Sequence, residues 1–122
     1  MSNNTPKVYD LHDRIFKYVI AVLEYLRKLP KTEINRIIVN QCARAVTSIG
    51  ANYEEADVAH TRRDFGYKME VVRKEAKETR YWLKVSRATN ERKFWAECDK
   101  LQDEGLQLVR IFSTITSKSS GK

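Results

Sequence analysis

The chain has 122 residues, 42% of them hydrophobic and 32% charged, which suits one compact domain and excludes a disordered chain. Only four glycines and two prolines are present, which argues against a sheet protein with many turns and favours long helices. The net charge is +7, and residues 61–93 hold eleven Lys and Arg against five Asp and Glu. This localised excess hints at an anionic partner for that segment.

The first two predicted helices carry apolar residues at spacings of three and four, which is typical of one buried helix face. The first helix is predicted over residues 10–29, and its stripe is Ile15, Val19, Val22, Leu26 and Leu29, widened by Phe16 and Leu23. Pro30 ends this helix, and Thr32 is the predicted N-cap of the second helix, residues 33–58. The second stripe consists of Ile38, Cys42, Ala45, Ile49, Asn52 and Ala56.

The third and fourth predicted helices span residues 63–89 and 91–116 and repeat the same spacings. Their stripes are Phe65, Met69, Val72, Ala76, Thr79 and Leu83, then Phe94, Cys98, Leu101, Gly105, Leu108, Phe112 and Ile115. Gly105 would let a neighbouring helix approach the fourth helix closely, because it has no side chain. Residues 1–9 and 117–122 are predicted to be a flexible N-terminus and a disordered tail.

Four such helices with short connections predict an all-α, antiparallel up-down-up-down four-helix bundle over residues 10–116. Cys42 and Cys98 lie on apolar faces without the spacing of a zinc site or a disulfide framework, so both are interpreted as core residues. The sequence shows neither a signal peptide nor an apolar run of membrane-spanning length. We therefore expect a cytoplasmic protein with no membrane partner.

One side of the third predicted helix is basic. The row Arg73, Lys77, Arg80, Lys84 and Arg87 repeats at spacings of four and three, which aligns five cations on one face. A solvated helix face is the plainer interpretation, and a surface that follows the phosphates of RNA or DNA is the sharper one. No stacking aromatic or base-reading motif lies in the row itself, so any binding should tolerate different sequences.

A second surface is predicted to be a structural or assembly network of polar side chains beside the core. Its members are Gln41, Arg44, Ser48, Asn52 and Glu55 on the second helix and Glu75, Glu78 and Trp82 on the third. An antiparallel hairpin turning near His60 places Arg44 opposite Glu75 and Gln41 opposite Glu78. A partly buried carboxylate needs such a partner.

An enzyme would use Glu75 and Glu78 as acid and base or as metal ligands. The chain has no Glu-x-x-His motif of the kind found in di-iron bundles. Its two histidines, His12 and His60, lie near a helix start and in the predicted turn. No glycine-rich phosphate loop or nucleophile with an adjacent base is present. We therefore expect no catalytic residues, no metal and no cofactor.

Two stretches carry a family resemblance. RAVTSIGANYEE, residues 44–55, resembles the Arg…Ser-Ile-x-x-Asn-x-x-Glu signature of the four helix bundle proteins. These are also called 23S rRNA intervening-sequence proteins, because some are encoded inside large-subunit rRNA genes. KEAKETRYWL, residues 74–83, is similar to that family's Glu-Ala-x-Glu-Thr-x-Tyr-Trp-Leu variant. The resemblance covers residues 10–89, and the fourth helix matches in pattern only.

The resemblance implies a homopentameric barrel of bundles and no established catalytic activity. The family is also similar in fold to the accessory protein of diversity-generating retroelements, a basic pentamer that works with a reverse transcriptase and nucleic acid. Gly50 stands where the family often has proline, and Ala56 stands where glycine is usual. Both changes favour a more continuous second helix, with Gly50 as a place where it could bend. Five copies of a +7 chain would carry +35, which favours an anionic partner.

Two functions remain open from the sequence. The first is a non-enzymatic homo-oligomer that binds RNA or DNA through the basic row. The second is a scaffold or accessory subunit that recruits a partner protein without a direct role in nucleic-acid binding. In the second case the contacts should follow exposed aromatic residues such as Tyr53, Tyr67 or Tyr81.

Overall fold

A computed structural model describes residues 10–119, which form four long helices with short connections. The helices are α1 (Leu11–Lys28), α2 (Glu33–Asp57), α3 (Arg62–Thr89) and α4 (Trp95–Ser119), and a short 3-10 helix, Arg92–Phe94, precedes α4. The bounds of α1, α2 and α3 lie within one residue of the predicted ones. The predicted bundle is therefore confirmed for the single chain.

The end of α4 corrects the predicted tail. Residues 117–119 were expected in the disordered segment, but they form the last turn of the helix. The hydroxyl group of Ser119 donates to the carbonyl oxygen of Thr116 at 3.2 Å, and no helix breaker occurs before Gly121. The predicted flexible N-terminus, residues 1–9, and the remainder of the tail, residues 120–122, lie outside the described residues.

Three helices begin at a side-chain cap. The side chains of Asp10, Thr32 and Thr61 each accept a hydrogen bond from the backbone N–H three residues later, at 3.2, 3.0 and 3.0 Å. These bonds satisfy N–H groups that the first helical turn leaves without partners. The cap predicted at Thr32 is confirmed. The fourth helix starts differently, through the 3-10 turn, where the Trp95 indole donates to the carbonyl oxygen of Arg87 at 3.0 Å.

Each helix packs against its two neighbours in chain order, which closes the bundle in an up-down-up-down arrangement. The contacts of α3 with α2 and with α4 are the most extensive, and the contact between α1 and α4 is the least extensive. That last contact has an ion pair near each end, Arg14 with Glu104 at 2.7 Å and Lys28 with Glu97 at 3.1 Å. Helix α3 is therefore the most firmly packed element.

Most buried residues follow the predicted stripes, and Phe65, Phe94 and Ile115 are half-buried at the edge of the core. Tyr18 and Tyr25 are buried on α1, whereas Phe16, expected to widen the stripe, is 63% exposed. On α2 Asn52 is only half-buried, and Tyr53 packs against the core at that turn instead. Because each helix keeps charged residues on its outer face, no helix in the described part of the chain is both long and apolar enough to cross a bilayer.

Gly105 makes room for a side chain rather than for a helix backbone. A Cβ atom at position 105 would lie 2.5 Å from the hydroxyl oxygen of Tyr18 on α1 and 3.2 Å from Cγ of Arg80 on α3. The Tyr18 hydroxyl is buried and makes no hydrogen bond within residues 10–119. Tyr18 thus reaches the surface of α4 only because residue 105 is glycine. The space at Gly105 was predicted to admit a neighbouring helix, and it is filled by this side chain instead.

A pair of asparagine amides joins the two turns at one end of the bundle. Asn35 Nδ2 donates to Asn90 Oδ1 at 2.9 Å, and Asn90 Nδ2 donates back to Asn35 Oδ1 at 3.0 Å. Each amide also donates to a backbone carbonyl, that of Pro30 or that of Ser86. Asn35 is only 4% exposed. The buried asparagine of α2 is therefore Asn35 and not Asn52, which carried that role in the sequence analysis.

Candidate nucleic-acid interface on the third helix

The predicted basic row lies on the side of α3 nearest to α4, and each of its three arginines has a side-chain partner. Arg73 pairs with Glu70 at 2.7 Å. Arg87 forms two hydrogen bonds with Asp99, at 2.7 and 3.1 Å, and its guanidinium carbon lies 4.2 Å from the centre of the Trp95 ring. These carboxylates offset much of the arginine charge, and the two arginines lower the pKa of Glu70 and of Asp99.

The positive charge of Arg80 is not offset by a carboxylate, because its partner is a neutral amide. Its Nε donates to Oε1 of Gln102 at 3.1 Å, and the Gln102 amide donates to the Arg80 carbonyl oxygen at 2.9 Å. Lys77 and Lys84 are exposed, and neither has a carboxylate within 4.0 Å among residues 10–119. Lys74, one turn before Lys77, is exposed as well. The row is therefore a surface of available lysines flanked by neutralised arginines.

The predicted polar network contains one contact that links α2 to α3 through three charged groups. Arg44 Nη1 lies 3.5 Å from Glu75, as expected from the antiparallel register, and Arg44 Nη2 donates to Glu78. Glu78 also accepts a hydrogen bond from the Trp82 indole at 3.1 Å. These two donors, the indole first and Arg44 second, lower the pKa of Glu78. The expected partner of Glu78, Gln41, is exposed and does not form this bond.

The carboxylate of Glu75 has one buried oxygen without a hydrogen bond. Its Oε1 atom is buried and has no hydrogen-bond partner, although it is the oxygen that lies 3.5 Å from Arg44. The contact is therefore an electrostatic attraction without hydrogen-bond geometry. Removal of Arg44 would leave a buried carboxylate oxygen without a counter-charge, which is costly in a protein interior.

The Arg44→Ala variant is expected to lower the free energy of unfolding, because Glu75 and Glu78 lose their shared cation. The matched control is Lys84→Ala, which removes an exposed charge without an ion pair and should stay within about 0.5 kcal/mol of the parent chain. Urea unfolding followed by circular dichroism would measure both. Equal effects of the two substitutions would show that Arg44 acts only as an exposed side chain.

The rest of the predicted network is local. The Asn52 amide donates to the carbonyl oxygen and the hydroxyl group of Ser48 in the same helix, both at 2.9 Å. Glu55 pairs with Lys68 across the α2–α3 turn. Of the five α2 residues in this set, Arg44 and Glu55 are the two that reach a side chain of α3.

Tyr81 also belongs to this surface, although the sequence suggested it as a contact for a partner protein. It is 57% exposed on α3, and it lies four residues after Lys77 and three before Lys84, so both lysines are its neighbours on the helix surface. Tyr53, named with it as an exposed aromatic, is half-buried instead and packs edge-to-face on His12 at 4.9 Å. The helical spacing to the two lysines was the signal that could have placed Tyr81 in the basic surface.

A second charged cluster joins the start of α1 to the end of α2. The two ring nitrogens of His12 lie 3.1 Å from Glu54 and 3.1 Å from Asp57. The hydrogen bond to Glu54 is the main cause that raises the pKa of His12. Within residues 10–119 no group of three or more His, Cys, Asp and Glu side chains is arranged to hold a metal ion.

Both cysteines are free and buried, as predicted. Burial raises the pKa of Cys42 to about 12 and raises the pKa of Cys98 as well. The protonated thiol is a poor nucleophile. A depression of about 200 Å³ lies at the α1–α2 turn, lined by Leu26, Pro30, Asn35 and Val39 among others. It does not include Glu75 or Glu78.

A sequence profile of the 23S rRNA-intervening sequence protein family matches residues 8–112. The chain belongs to this family. No curated protein sequence matches the chain. The family's match extends into α4, beyond the two stretches that carried the resemblance in the sequence.

A solved structure supports the family's fold. It is the 1.70 Å crystal structure of a protein of unknown function from the S23 ribosomal protein family of Bacteroides thetaiotaomicron VPI-5482. The two chains are 26% identical with a TM-score of 0.73, and the match covers 86% of this chain and 96% of that chain.

Helix α2 runs from Glu33 to Asp57 without a break, so the continuous second helix expected from Gly50 and Ala56 is confirmed.

Proposed function

We propose that the chain is a cytoplasmic, non-catalytic and homo-oligomeric protein that binds RNA or DNA through the basic row of α3. The observation that carries this proposal is the pair Lys77 and Lys84, exposed and without a carboxylate within 4.0 Å among the described residues. They are seven residues apart, about 10 Å along the helix axis. Lys74 and the uncompensated charge of Arg80 extend the same surface.

Electrostatics supports a polyanion as the ligand. Each phosphate that an ammonium group contacts releases counter-ions, so several aligned lysines bind a nucleic acid with a salt-dependent affinity. The carboxylate of Glu78 is held by Arg44 and Trp82, so it is not free to accept a hydrogen bond from a base. The same contacts occupy the carboxylate that would otherwise be the best candidate for acid–base chemistry, which supports a binding role.

The Lys77→Glu/Lys84→Glu variant is expected to weaken nucleic-acid binding at least about tenfold and to reduce the slope of log K against log salt by about 1.4–1.8, for two lost phosphate contacts. Fluorescence anisotropy at several salt concentrations would measure both quantities. The matched control is Lys100→Glu/Lys118→Glu, which changes the net charge equally on exposed positions of α4 and should bind like the parent chain. Equal losses in both variants would indicate a response to total charge, and no binding at low salt would refute the proposal.

Exposed apolar residues support the homo-oligomer and also favour the scaffold as a second candidate. Ile34 and Ile37 lie one turn apart at the start of α2 and are 62% and 59% exposed. Such neighbouring apolar side chains suit a protein contact, either with another copy of this chain or with a partner subunit. The mass of the protein in solution distinguishes a homo-oligomer from a monomer. A partner that stays bound after nuclease treatment at high salt would favour the scaffold.

A further inference from the structure

Tyr81 is a large aromatic side chain left exposed in the middle of the lysine surface. It is 57% exposed, and its hydroxyl makes no hydrogen bond within residues 10–119. The Cβ atoms of residues three or four apart on a helix are about 5–6 Å from each other. Lys77 and Lys84 therefore flank the ring on its two sides along the helix. No other tyrosine on α3 has a lysine both four residues before and three residues after it.

A neighbouring aromatic side chain fixes the position of the Tyr81 ring. It packs edge-to-face on Trp82, with ring centres 5.2 Å apart and an angle of 73° between the rings. The Trp82 indole is fixed by its hydrogen bond to Glu78, and Glu78 is fixed by Arg44 of α2. The polar network thus supports an exposed aromatic ring. A ring that is positioned before the ligand arrives loses little conformational freedom on binding.

We propose that Tyr81 stacks on a nucleobase while Lys77 and Lys84 contact the phosphates on either side, so that the ligand is single-stranded. The proposal rests on the proposed function, since it names the form of nucleic acid that the same surface binds. Bases in a duplex have their faces covered by their neighbours, whereas a single strand offers them to aromatic side chains. RNA and DNA share this chemistry. Stacking accepts every base, so this contact should tolerate different sequences.

The test compares Tyr81→Ala with Tyr81→Phe and with Tyr67→Ala. Tyr67 is another exposed tyrosine on α3, at 67%, but its neighbours at these spacings are Arg63 and Glu70, so it serves as the matched control. The probes are a labelled oligouridylate, an oligothymidylate and a duplex RNA, each about 12 nucleotides long, within the range that single-strand-binding surfaces cover. Anisotropy titrations at several salt concentrations give affinity and salt slope together.

Tyr81→Ala should weaken single-strand binding about tenfold, the effect of losing one stacked base, and leave the salt slope unchanged because the phosphate contacts remain. Tyr81→Phe and Tyr67→Ala should bind within about twofold of the parent chain. The duplex should bind more weakly than either single strand and respond little to Tyr81→Ala. Preference for the uridylate or for the thymidylate would identify the ligand as RNA or DNA.

The outcomes distinguish nucleic-acid binding by the lysines from stacking by Tyr81. If Lys77→Glu/Lys84→Glu loses binding while Tyr81→Ala binds like the parent, stacking is wrong and the proposed function stands. If the parent chain binds none of the probes, both are wrong. Equal loss for duplex and single strand in Tyr81→Ala would overturn the single-strand assignment. A fluorescent base analogue, whose emission falls on stacking, tests the parent chain independently of any effect of the substitution on folding, and unchanged emission on binding would also overturn stacking.

Discussion

Replacement of Gly105 by alanine is expected to lower the free energy of unfolding, because the new Cβ atom overpacks a well-filled core at a cost of about 1–3 kcal/mol. The new Cβ atom would lie 2.5 Å from the Tyr18 hydroxyl oxygen and 3.2 Å from Arg80 Cγ. Tyr18 is 3% exposed, so its rigid ring cannot turn away without moving its neighbours. This overlap outweighs the gain of about 1 kcal/mol that alanine normally brings to a helix interior.

Gly50 is the matched control for this substitution. It also lies inside a helix, but a Cβ atom there would meet only Val19 Cγ2, at an ordinary 3.5 Å. Gly50→Ala should therefore stabilise the chain by about 0.5–1 kcal/mol. Chemical denaturation would measure both variants. The same sign for both would show that the contact with Tyr18 does not govern the response at Gly105.

The contact between Tyr18 and residue 105 predicts that a second substitution restores the stability lost in Gly105→Ala. Tyr18→Phe removes the hydroxyl oxygen, which is buried without a hydrogen bond, so this change alone should cost little. In the Tyr18→Phe background, Gly105→Ala should lose most of its destabilising effect. A purely additive result would contradict the assigned contact, because residues that touch are expected to be coupled.

The second large effect is expected at the amide pair. Asn35→Ala should lower the free energy of unfolding by about 2–4 kcal/mol, because several hydrogen bonds are lost and polar groups in a buried setting lose their partners. Asn35 donates to Asn90 and to the Pro30 carbonyl and accepts from Asn90. Urea unfolding of Asn35→Ala, Asn90→Ala and the double variant forms a cycle. The double variant should lower the free energy of unfolding by less than the sum of the decreases in the two single variants.

Asn40→Ala provides the comparison, because Asn40 is an exposed asparagine on the same helix and should change stability by no more than about 0.5 kcal/mol. A similar effect at Asn35 and Asn40 would mean that the pair adds no more than an exposed amide. Additive effects of Asn35→Ala and Asn90→Ala would mean that the two amides act independently.

Local patterns predicted most of the fold. The helices followed from apolar spacing, from the cap at Thr32 and from the scarcity of glycine and proline. Arg44 could be placed opposite Glu75 because an antiparallel hairpin with a known turn fixes the register of its two helices. Gly105 could be recognised as a close approach, although the sequence did not show that the approaching group is a tyrosine hydroxyl.

What escaped prediction depends on contacts between segments that are distant in the chain. The spacing of α1 accommodates Phe16 or Tyr18 on a buried face, and the packing against Gly105 selects Tyr18. Arg80 and Arg87 looked equivalent because their partners on α4, Gln102 and Asp99, follow from a helix register that periodicity does not provide. Asn35 is buried for a similar reason, since its partner Asn90 lies 55 residues away.

The helices of the bundle contact one another to unequal extents. Helix α1 shares its smallest contact with α4, and the ion pairs at the two ends of that contact are partly exposed, so dissolved salt screens them. The lysines lie on α3, which is clamped on both sides by the two largest contacts. Salt is therefore expected to weaken these two ion pairs and to leave the apolar packing of α3, which positions Lys77, Tyr81 and Lys84, in place.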